Sequence, residues 1–281
     1  MVQTSLEKNK TRFRKLFLAM KVALLISTYN WSEALDLVLK SALSQSILPD
    51  EIIIADDGSK EETKSLINKF QNKSTIPILH IWQEDKGFRK SKILNKAIAT
   101  SESDYIIQID GDCILHNKFI EDHINQVSNN TYLYGSRVNI LPEYVSAILN
   151  LKTIRFSFFS KGIKNRTRTL HIPILSKCYK KHNGISKKFR GCNVSFWRKD
   201  FIDINGYNED FEGWGREDSD LVIRLGNKGI FSKRLRYAGI VYHIYHTTNS
   251  KHNFELNNKI QNETIAKKTI WTDNGLDKYL N

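Results

Sequence analysis

The sequence has 281 residues, 40% hydrophobic and 26% charged, with a formal net charge of +13. That length allows a sizeable core, and only four prolines and 14 glycines exclude a low-complexity chain. No uninterrupted run of about 18 apolar residues is present, so the sequence predicts no membrane-spanning helix.

The first half of the chain alternates strand patterns with helix patterns. After a basic lead-in over residues 1–20, apolar runs predict strands within 21–28, 49–59, 76–83 and 104–110. Helix patterns cover residues 33–46, with Ser32 as the N-cap, 61–70 and 87–100. This alternation over residues 21–135 predicts an α/β fold whose parallel sheet has helices on both faces.

The alternation weakens in the second half, residues 136–250. Residues 147–159 fit an amphipathic helix, and residues 190–200 fit a strand that enters a short helix. A helix closed by glycine is predicted at 216–229 and a last strand at 241–246. Residues 251–281 are expected to form a polar, peripheral C-terminal tail.

The positive charge is concentrated in one stretch, residues 151–190, which we call the basic segment. It holds 12 Lys and Arg and no Asp or Glu, whereas the rest of the chain holds 31 basic and 30 acidic residues. A solvated face is the ordinary explanation of a charge run. The complete lack of acids and the interleaved apolar residues favour contact with an anionic partner, such as phosphate groups or an anionic membrane surface. These apolar residues are Phe156, Phe158, Phe159, Ile163 and Ile174.

The cysteines indicate a reducing compartment. Cys113, Cys178 and Cys192 are odd in number and far apart, and they form no C-x-x-C pair. We therefore expect a cytoplasmic protein, with peripheral contact of the basic segment with the inner face of the cytoplasmic membrane as a further expectation.

Polar clusters follow three of the predicted strands, at residues 27–30, 56–59 and 110–112. The carboxyl ends of parallel strands share one edge of a sheet, where ligands bind. Asp110 and Asp112 could form a surface turn, since Asp and Gly favour turns. They could equally hold Mn²⁺ or Mg²⁺, which bind carboxylates and phosphates together.

Two further motifs remain ambiguous when taken alone. Glu217 and Asp218 lie where a helix begins, and acids in a first turn are explained by the helix dipole alone. The glycines on either side of Trp214 favour a second interpretation, because they allow the backbone to approach a ligand closely. An acid held beside the Trp214 ring could have a raised pKa and act as a general base. His243 and His246 are spaced by three on a predicted strand, so at most one of them is expected to reach a site.

Seven motifs in order resemble the inverting glycosyltransferases of family 2, with a second half similar to the galactosyltransferase-type C-terminal module of chondroitin polymerases. The resemblance covers about residues 21–246 and implies a GT-A fold: one Rossmann-like domain with a mixed, mostly parallel sheet. The motifs are LLISTYN, IIIADDGS, EDKGFRKSKILNKAI, IIQIDGD, RGCNVSFWRKD, GYNEDFEGWGREDSDL and VYH.

The resemblance implies a role for each matching position. Asp112 and His243 match metal ligands, and Asp218 matches the catalytic base. Glu217 is the second catalytic acid and, with Trp214, matches residues that hold the donor sugar or the acceptor. The remaining positions match donor-binding residues: Thr28, Tyr29, Asn30, Asp56, Asp57, Gly87, Phe88, Arg89, Asn95 and Asp110.

Two departures from the family pattern concern acceptor binding and backbone packing. Gly191-Cys192-Asn193 replaces the usual Gly-Gly-Asn or Ala-Gly-Asn, which puts close backbone approach there in doubt. For the basic segment we can align no counterpart in the family, which leaves the acceptor open.

The resulting hypothesis is a metal-dependent inverting transferase with Mn²⁺ or Mg²⁺ as cofactor. It would move a hexose or N-acetylhexosamine from a UDP-sugar to a glycan or lipid-linked glycan in bacterial surface polysaccharide or lipopolysaccharide synthesis. One alternative is a nucleotidyltransferase, although the chain lacks the Gly-rich basic loop expected after the first strand. The other is a basic nucleic-acid-binding protein, which would need no acid cluster; we expect no nucleic-acid partner.

Overall fold

The computed structural model describes residues 20–186, 188–247 and 253–280. Its strands are β1 Val22–Thr28, β2 Glu51–Asp56, β3 Ile78–Trp82, β4 Tyr105–Asp110, β5 Cys113–Leu115, β6 Thr131–Gly135, β7 Arg137–Ile140, β8 Ile163–Lys164, β9 Lys181–His182, β10 Asn193–Trp197, β11 Phe231–Leu235 and β12 Val241–His243. Its α-helices are α1 Ser32–Ala42, α2 Glu61–Gln71, α3 Lys90–Ala99, α4 Phe119–Ile124, α5 Val145–Asn150, α6 Pro173–Lys177, α7 Arg198–Ile202, α8 Glu217–Asn227 and α9 Phe254–Lys267.

The larger sheet has the strand order β3-β2-β1-β4-β10-β6-β11-β9. Strands β3, β2, β1 and β4 are parallel neighbours, β6 and β11 are parallel to each other, and β10 and β9 run antiparallel to their neighbours. The predicted mixed, mostly parallel sheet is therefore confirmed.

Both faces of this sheet are buried, which explains why its strands appear in the sequence as continuous apolar runs. In β1, Ala23 and Leu25 belong to one core cluster, whereas Leu24 and Ile26 belong to the cluster on the opposite face. The alternation follows from the two-residue period of a strand.

A smaller sheet, with the order β5-β12-β7-β8, lies beside the first. The chain passes from β4 in the larger sheet to β5 in the smaller sheet through Gly111 and Asp112. The D-G-D motif is thus the junction between the two sheets, and its two aspartates face different surroundings.

Two predicted helix features are wrong. Helix α1 begins at Ser32 rather than after it, its N-cap is Trp31 without a side-chain cap, and it ends at Ala42. The helix predicted over residues 147–159 ends at Asn150. The chain then turns so that Phe156 packs against Tyr242, with ring centroids 4.6 Å apart.

The basic segment is mostly irregular chain with a few short strands and helices. Its apolar residues divide into two groups, because Ile163 is buried in the core of the smaller sheet whereas Phe159 and Ile174 are 85% and 78% exposed. The interleaved apolar residues therefore serve partly as core and partly as surface.

The C-terminal residues are less peripheral than their polar composition suggests. Asn257 of α9 is fully buried, and its side-chain amide donates to the carbonyl oxygens of Glu212 and Gly215 at 3.1 and 2.9 Å. Leu276 is also fully buried in the main core. Helix α9 thereby supports the loop that precedes α8.

The predicted lead-in over residues 1–20 lies outside the described residues, apart from Met20. Within the described ranges, no helix combines the length and the apolar character that crossing a membrane requires.

Candidate active site

Three polar strand ends meet at one edge of the larger sheet, because β2, β1 and β4 are neighbours. The Gly111 N–H donates to the Ser27 carbonyl oxygen at 2.7 Å, and the Asp57 N–H donates to the Thr28 carbonyl oxygen at 3.1 Å. A Cβ atom on Gly111 would lie 2.9 Å from the Ser27 oxygen, so the motif needs a glycine for this close approach.

The aspartates after β2 are both buried, and they have different partners. Asp56 accepts from the Ser59 N–H at 2.8 Å and contacts His80 Nε2 at 2.9 Å, so it organises the turn. Asp57 accepts from Gln83 Nε2 and from the Arg89 N–H, both at 2.7 Å. Burial raises the pKa of Asp57.

The residues that follow β1 line the open side of this edge. Tyr29 is 53% exposed and its hydroxyl donates to Asp85 at 2.8 Å, while Asp85 also accepts from the Gly87 N–H at 3.1 Å. Asn30 has a φ of 46° and accepts from the Lys60 N–H at 2.8 Å. An exposed aromatic ring above buried acids suits stacking with a nucleobase.

The G-F-R…N motif connects the two halves of the chain. The Phe88 carbonyl oxygen accepts from the Gly213 N–H at 3.1 Å. Asn95 is fully buried, and its amide pairs with the backbone N–H and carbonyl of Tyr207, both at 2.8 Å. The structure therefore places Asn95 behind the site, where it positions the second half.

Lys90, which the motif analysis did not single out, lies between two carboxylates of the site. Its Nζ is 2.7 Å from Asp110 Oδ1 and 3.9 Å from Asp218 Oδ2. Burial opposes its charge, but Asp110, Asp218 and Glu217 raise the pKa of Lys90 well above its usual value. The ammonium group therefore draws acids of the first and second halves together.

Asp218 is held against the backbone of the residues before β10. Its Oδ1 accepts from the Tyr207 hydroxyl at 3.3 Å, and a Cβ atom on Gly191 would lie 1.8 Å from its Oδ2. Gly191 therefore provides the close backbone approach that the Gly191-Cys192-Asn193 sequence had put in doubt. Burial raises the pKa of Asp218, although the charge of Lys90 opposes the shift.

Glu217 begins α8 and is buried beside Asp218. Its Oε2 accepts from the Gly215 N–H at 2.9 Å. Burial and the neighbouring charge of Asp218 raise the pKa of Glu217 from 4.5 to about 7. Trp214 is 36% exposed and stacks on Phe254 of α9, so one face of the indole remains available.

The raised pKa of Glu217 predicts a measurable pH dependence of stability. Because the folded state binds this proton more tightly than the unfolded state, the free energy of unfolding falls as the pH rises from 4.5 to about 7. Glu217→Gln removes the cost of burying the charge, so we expect the variant to be more stable than wild type by about 1–3 kcal/mol above pH 7. Urea titrations at several pH values test this.

The exposed Glu143, on the turn before α5, is the matched control. Glu143→Gln should follow the wild-type pH profile. A Glu217→Gln variant that is equally stable or less stable than wild type at pH 8 would contradict the prediction. It would show that favourable interactions of the Glu217 carboxylate offset the cost of burying its charge.

The imidazoles of both histidines contact Asp112, so the prediction that at most one could reach the site is wrong. The distances from Asp112 Oδ2 are 3.3 Å to His243 Nε2 and 3.1 Å to His246 Nε2. Strand β12 ends at His243, and the irregular chain after it turns the His246 ring toward the same carboxylate. The three ligand atoms lie within 4.8 Å of one another.

The orientation of His246 suits metal binding. Its Nδ1–H donates to the Thr247 carbonyl oxygen at 2.7 Å, which leaves Nε2 facing Asp112. The hydrogen bond to Asp112 raises the pKa of His246 to about 9, whereas burial lowers the pKa of His243. One carboxylate and two imidazoles form a donor set that can hold a divalent cation.

Sequence analysis missed Lys90 and Tyr207, and it expected only one of His243 and His246 to reach the site. Lys90 offered one signal, because a lysine in the first turn of a helix opposes the helix dipole and therefore needs nearby acids. Tyr207 gave none, and the approach of both histidines could not be predicted, since these roles depend on contacts between distant parts of the chain.

Solved structures share this architecture. Staphylococcus aureus TarS 1–349, in complex with UDP, matches with a TM-score of 0.59 and 15% identity over 92% of this chain and 68% of that one. A mannosyltransferase from Pyrobaculum calidifontis, in complex with GDP-Man and Mn²⁺, matches with a TM-score of 0.58 and 14% identity over 88% and 64%. These likenesses show that the fold is GT-A.

A family profile described as glycosyl transferase family 2 matches residues 23–180, and one described as the N-terminal domain of galactosyltransferase matches residues 174–247. The chain belongs to glycosyl transferase family 2. It is 25% identical over 238 residues to the chondroitin synthase of Pasteurella multocida, covering 79% of this chain. This chain spans about a quarter of the length of that synthase, 24%.

Proposed function

We propose that the protein transfers a hexose or N-acetylhexosamine from a UDP-sugar, with inversion, to a hydroxyl group of a glycan or glycolipid. Bacterial surface polysaccharide or lipopolysaccharide synthesis is the proposed setting. Family membership favours this interpretation over a nucleotidyltransferase or a nucleic-acid-binding protein.

The proposal depends on one observation: a partly buried carboxylate with a raised pKa faces the same edge of the sheet as a carboxylate–imidazole cluster. Asp218 is the carboxylate, and Asp112, His243 and His246 are the cluster. Asp110, adjacent to Asp112, connects the two through Lys90. A base and an anion-stabilising centre on one edge are what direct displacement at an anomeric carbon requires.

Asp218 is the proposed general base. Its raised pKa improves its ability to accept a proton from an acceptor hydroxyl as that hydroxyl attacks. The Tyr207 hydroxyl and Lys90 hold the carboxylate in position. Glu217, half-ionised near neutral pH, is placed to hold a sugar hydroxyl beside the exposed face of Trp214.

The cluster of Asp112, His243 and His246 is the proposed site of the divalent cation, and its donor set favours Mn²⁺. A bound cation would stabilise the charge that develops on the leaving diphosphate. The TarS complex with UDP and the mannosyltransferase complex with GDP-Man and Mn²⁺ support a nucleotide-sugar donor and a metal.

The donor base and ribose would occupy the edge lined by Thr28, Tyr29, Asn30 and Asp57. Tyr29 offers an exposed ring for stacking, and Asp57 offers oxygen acceptors beside the Arg89 backbone. Residues 21–135 are accordingly the proposed donor half and residues 136–250 the proposed acceptor half. The exposed Phe159 and Ile174 in the basic segment support a peripheral contact with an anionic membrane.

Calorimetric titration of UDP tests the donor site and the metal together. We expect wild type to bind UDP in the presence of Mn²⁺ and to lose at least tenfold in affinity in EDTA, because the diphosphate then lacks its counter-charge. In the presence of Mn²⁺, Asp112→Ala should bind UDP as weakly as wild type does in EDTA.

Asp210→Ala is the control, since Asp210 is an exposed acid outside the site. It should bind UDP with wild-type affinity. If wild type bound no UDP under either condition, or bound it equally with and without Mn²⁺, the proposed metal-dependent donor site would be wrong.

A further inference from the structure

Five arginines from separate parts of the chain gather beside the candidate active site. We call them the arginine cluster: Arg137, Arg168, Arg190, Arg234 and Arg236. Two of them, Arg168 and Arg190, belong to the basic segment, whereas the others come from β7 and from the end of β11. The cluster is therefore a product of the fold and is not a property of the basic segment alone.

Hydrogen bonds bring two of these guanidinium groups to residues 136 and 137. Arg168 Nη1 donates to the Arg137 carbonyl oxygen at 2.8 Å, and Arg234 Nη2 donates to Ser136 Oγ at 2.9 Å. Arg236 lies two residues beyond Arg234 and stacks over Tyr237, with its Cζ 4.4 Å from the ring centroid. The arginines thus surround Ser136 and Arg137.

Four of the five arginines lack a carboxylate ion-pair partner within the ranges that the structure describes. Among the described residues, Arg137, Arg168, Arg234 and Arg236 form no ion pair with a carboxylate, and the buried Arg234 Nε has no hydrogen-bond partner. Burial, followed by the charges of Arg234, Arg236, Arg137 and Arg190, lowers the pKa of Arg168. Mutual repulsion of this kind is relieved when an anion binds.

The cluster adjoins the proposed reaction centre on the acceptor side. Arg137 begins β7, which pairs with β12 so that Arg137 lies opposite Val241, two residues before His243. The Asn193 side-chain amide donates to the Ser136 carbonyl oxygen at 3.5 Å. Arg190 directly precedes Gly191, whose backbone lies against Asp218.

We propose that the arginine cluster binds a phosphate-bearing group of the acceptor. Guanidinium groups bind phosphate oxygens in bidentate fashion, and several converging arginines suit a diphosphate or a phosphodiester better than a single carboxylate. The cluster holds the anionic part of the acceptor next to Asp218, so that one of its hydroxyl groups can reach the base. This inference rests on the proposed function, because it names the acceptor chemistry of that site.

Calorimetric titration with inorganic pyrophosphate in EDTA tests the cluster without an identified acceptor. Arg168→Gln/Arg234→Gln should weaken binding about tenfold or more, since two charged hydrogen-bond donors are lost. Lys161→Gln/Lys177→Gln is the matched control: it removes the same charge from exposed positions of the basic segment and should bind as wild type does. Arg190→Gln, at an exposed position, is a second variant that leaves the interior unchanged.

UDP titration with Mn²⁺ separates this inference from the proposed function. The arginine variants should bind UDP as wild type does, which also shows that they fold; absence of UDP binding in wild type would overturn the proposed function instead. Equal losses of pyrophosphate affinity in the arginine and lysine pairs would overturn the inference, because charge alone would then explain binding. Unchanged pyrophosphate binding with weaker sedimentation on phosphatidylcholine–phosphatidylglycerol vesicles would instead make the cluster a membrane contact, which also overturns it.

Discussion

Asp218→Asn is expected to lower kcat about a hundred- to ten-thousandfold while UDP affinity in Mn²⁺ stays at the wild-type value. The amide has nearly the same shape and can still accept from the Tyr207 hydroxyl, but it cannot take a proton from the acceptor. Because burial raises the pKa of Asp218, wild-type kcat should also fall as the pH is lowered through that raised pKa. Release of UDP in the presence of a productive donor and acceptor measures the effect.

Asp210→Asn is the companion variant, since Asp210 lies eight residues earlier and is exposed. It should retain wild-type kcat. If Asp218→Asn kept more than about a tenth of the activity, Asp218 would not be the base. Glu217 would then be the group to test, since it is the buried acid directly before Asp218 at the start of α8.

Gly191→Ala is expected to lower kcat about a hundredfold with little loss of UDP affinity. The added Cβ would lie 1.8 Å from Asp218 Oδ2 and 2.0 Å from its Cγ, so the carboxylate must move away. That movement would separate Asp218 from Lys90 and from the Tyr207 hydroxyl, which now hold it in position. We expect a loss in the free energy of unfolding of about 1–3 kcal/mol as well.

Gly226→Ala is the control for this substitution, because Gly226 lies within α8 and no atom lies within 4 Å of its added Cβ. It should leave kcat unchanged and stabilise the protein by about 0.5–1 kcal/mol. If Gly191→Ala kept the wild-type kcat, catalysis would tolerate a displaced Asp218. The proposed role of Gly191 in positioning the Asp218 carboxylate would then be wrong.

The parallel strands could be predicted because burial on both faces leaves a strong local pattern. Strands β1, β2 and β4 lie within the predicted apolar runs, and α8 lies within the predicted 216–229. The basic segment could not be predicted in the same way. Its course depends on distant contacts, such as the pairing of Ile163 with Ile140 across two strands.

In the candidate site, too, features that depend on local sequence could be predicted and features that depend on distant contacts could not. Acids at strand ends could be found, because parallel strands bring their carboxyl ends to one edge. The approach of His246 to Asp112 could not, since it depends on where β12 ends and on the edge-to-face packing of His246 on Trp31, whose ring centroid lies 6.1 Å away. Asn95 belongs to a motif that the sequence revealed, but it lies in the interior, where its side chain holds the backbone of Tyr207.

The chain between β7 and Phe189 pairs with the sheets through short strands at their outer edges, β8 beside β7 and β9 beside β11. Asp218 and the Asp112 cluster are held by strands and helices on either side of this stretch. Its exposed side chains can therefore change without displacing the reacting groups. Evolution can in this way change the molecule that receives the sugar while the transfer chemistry is inherited unaltered.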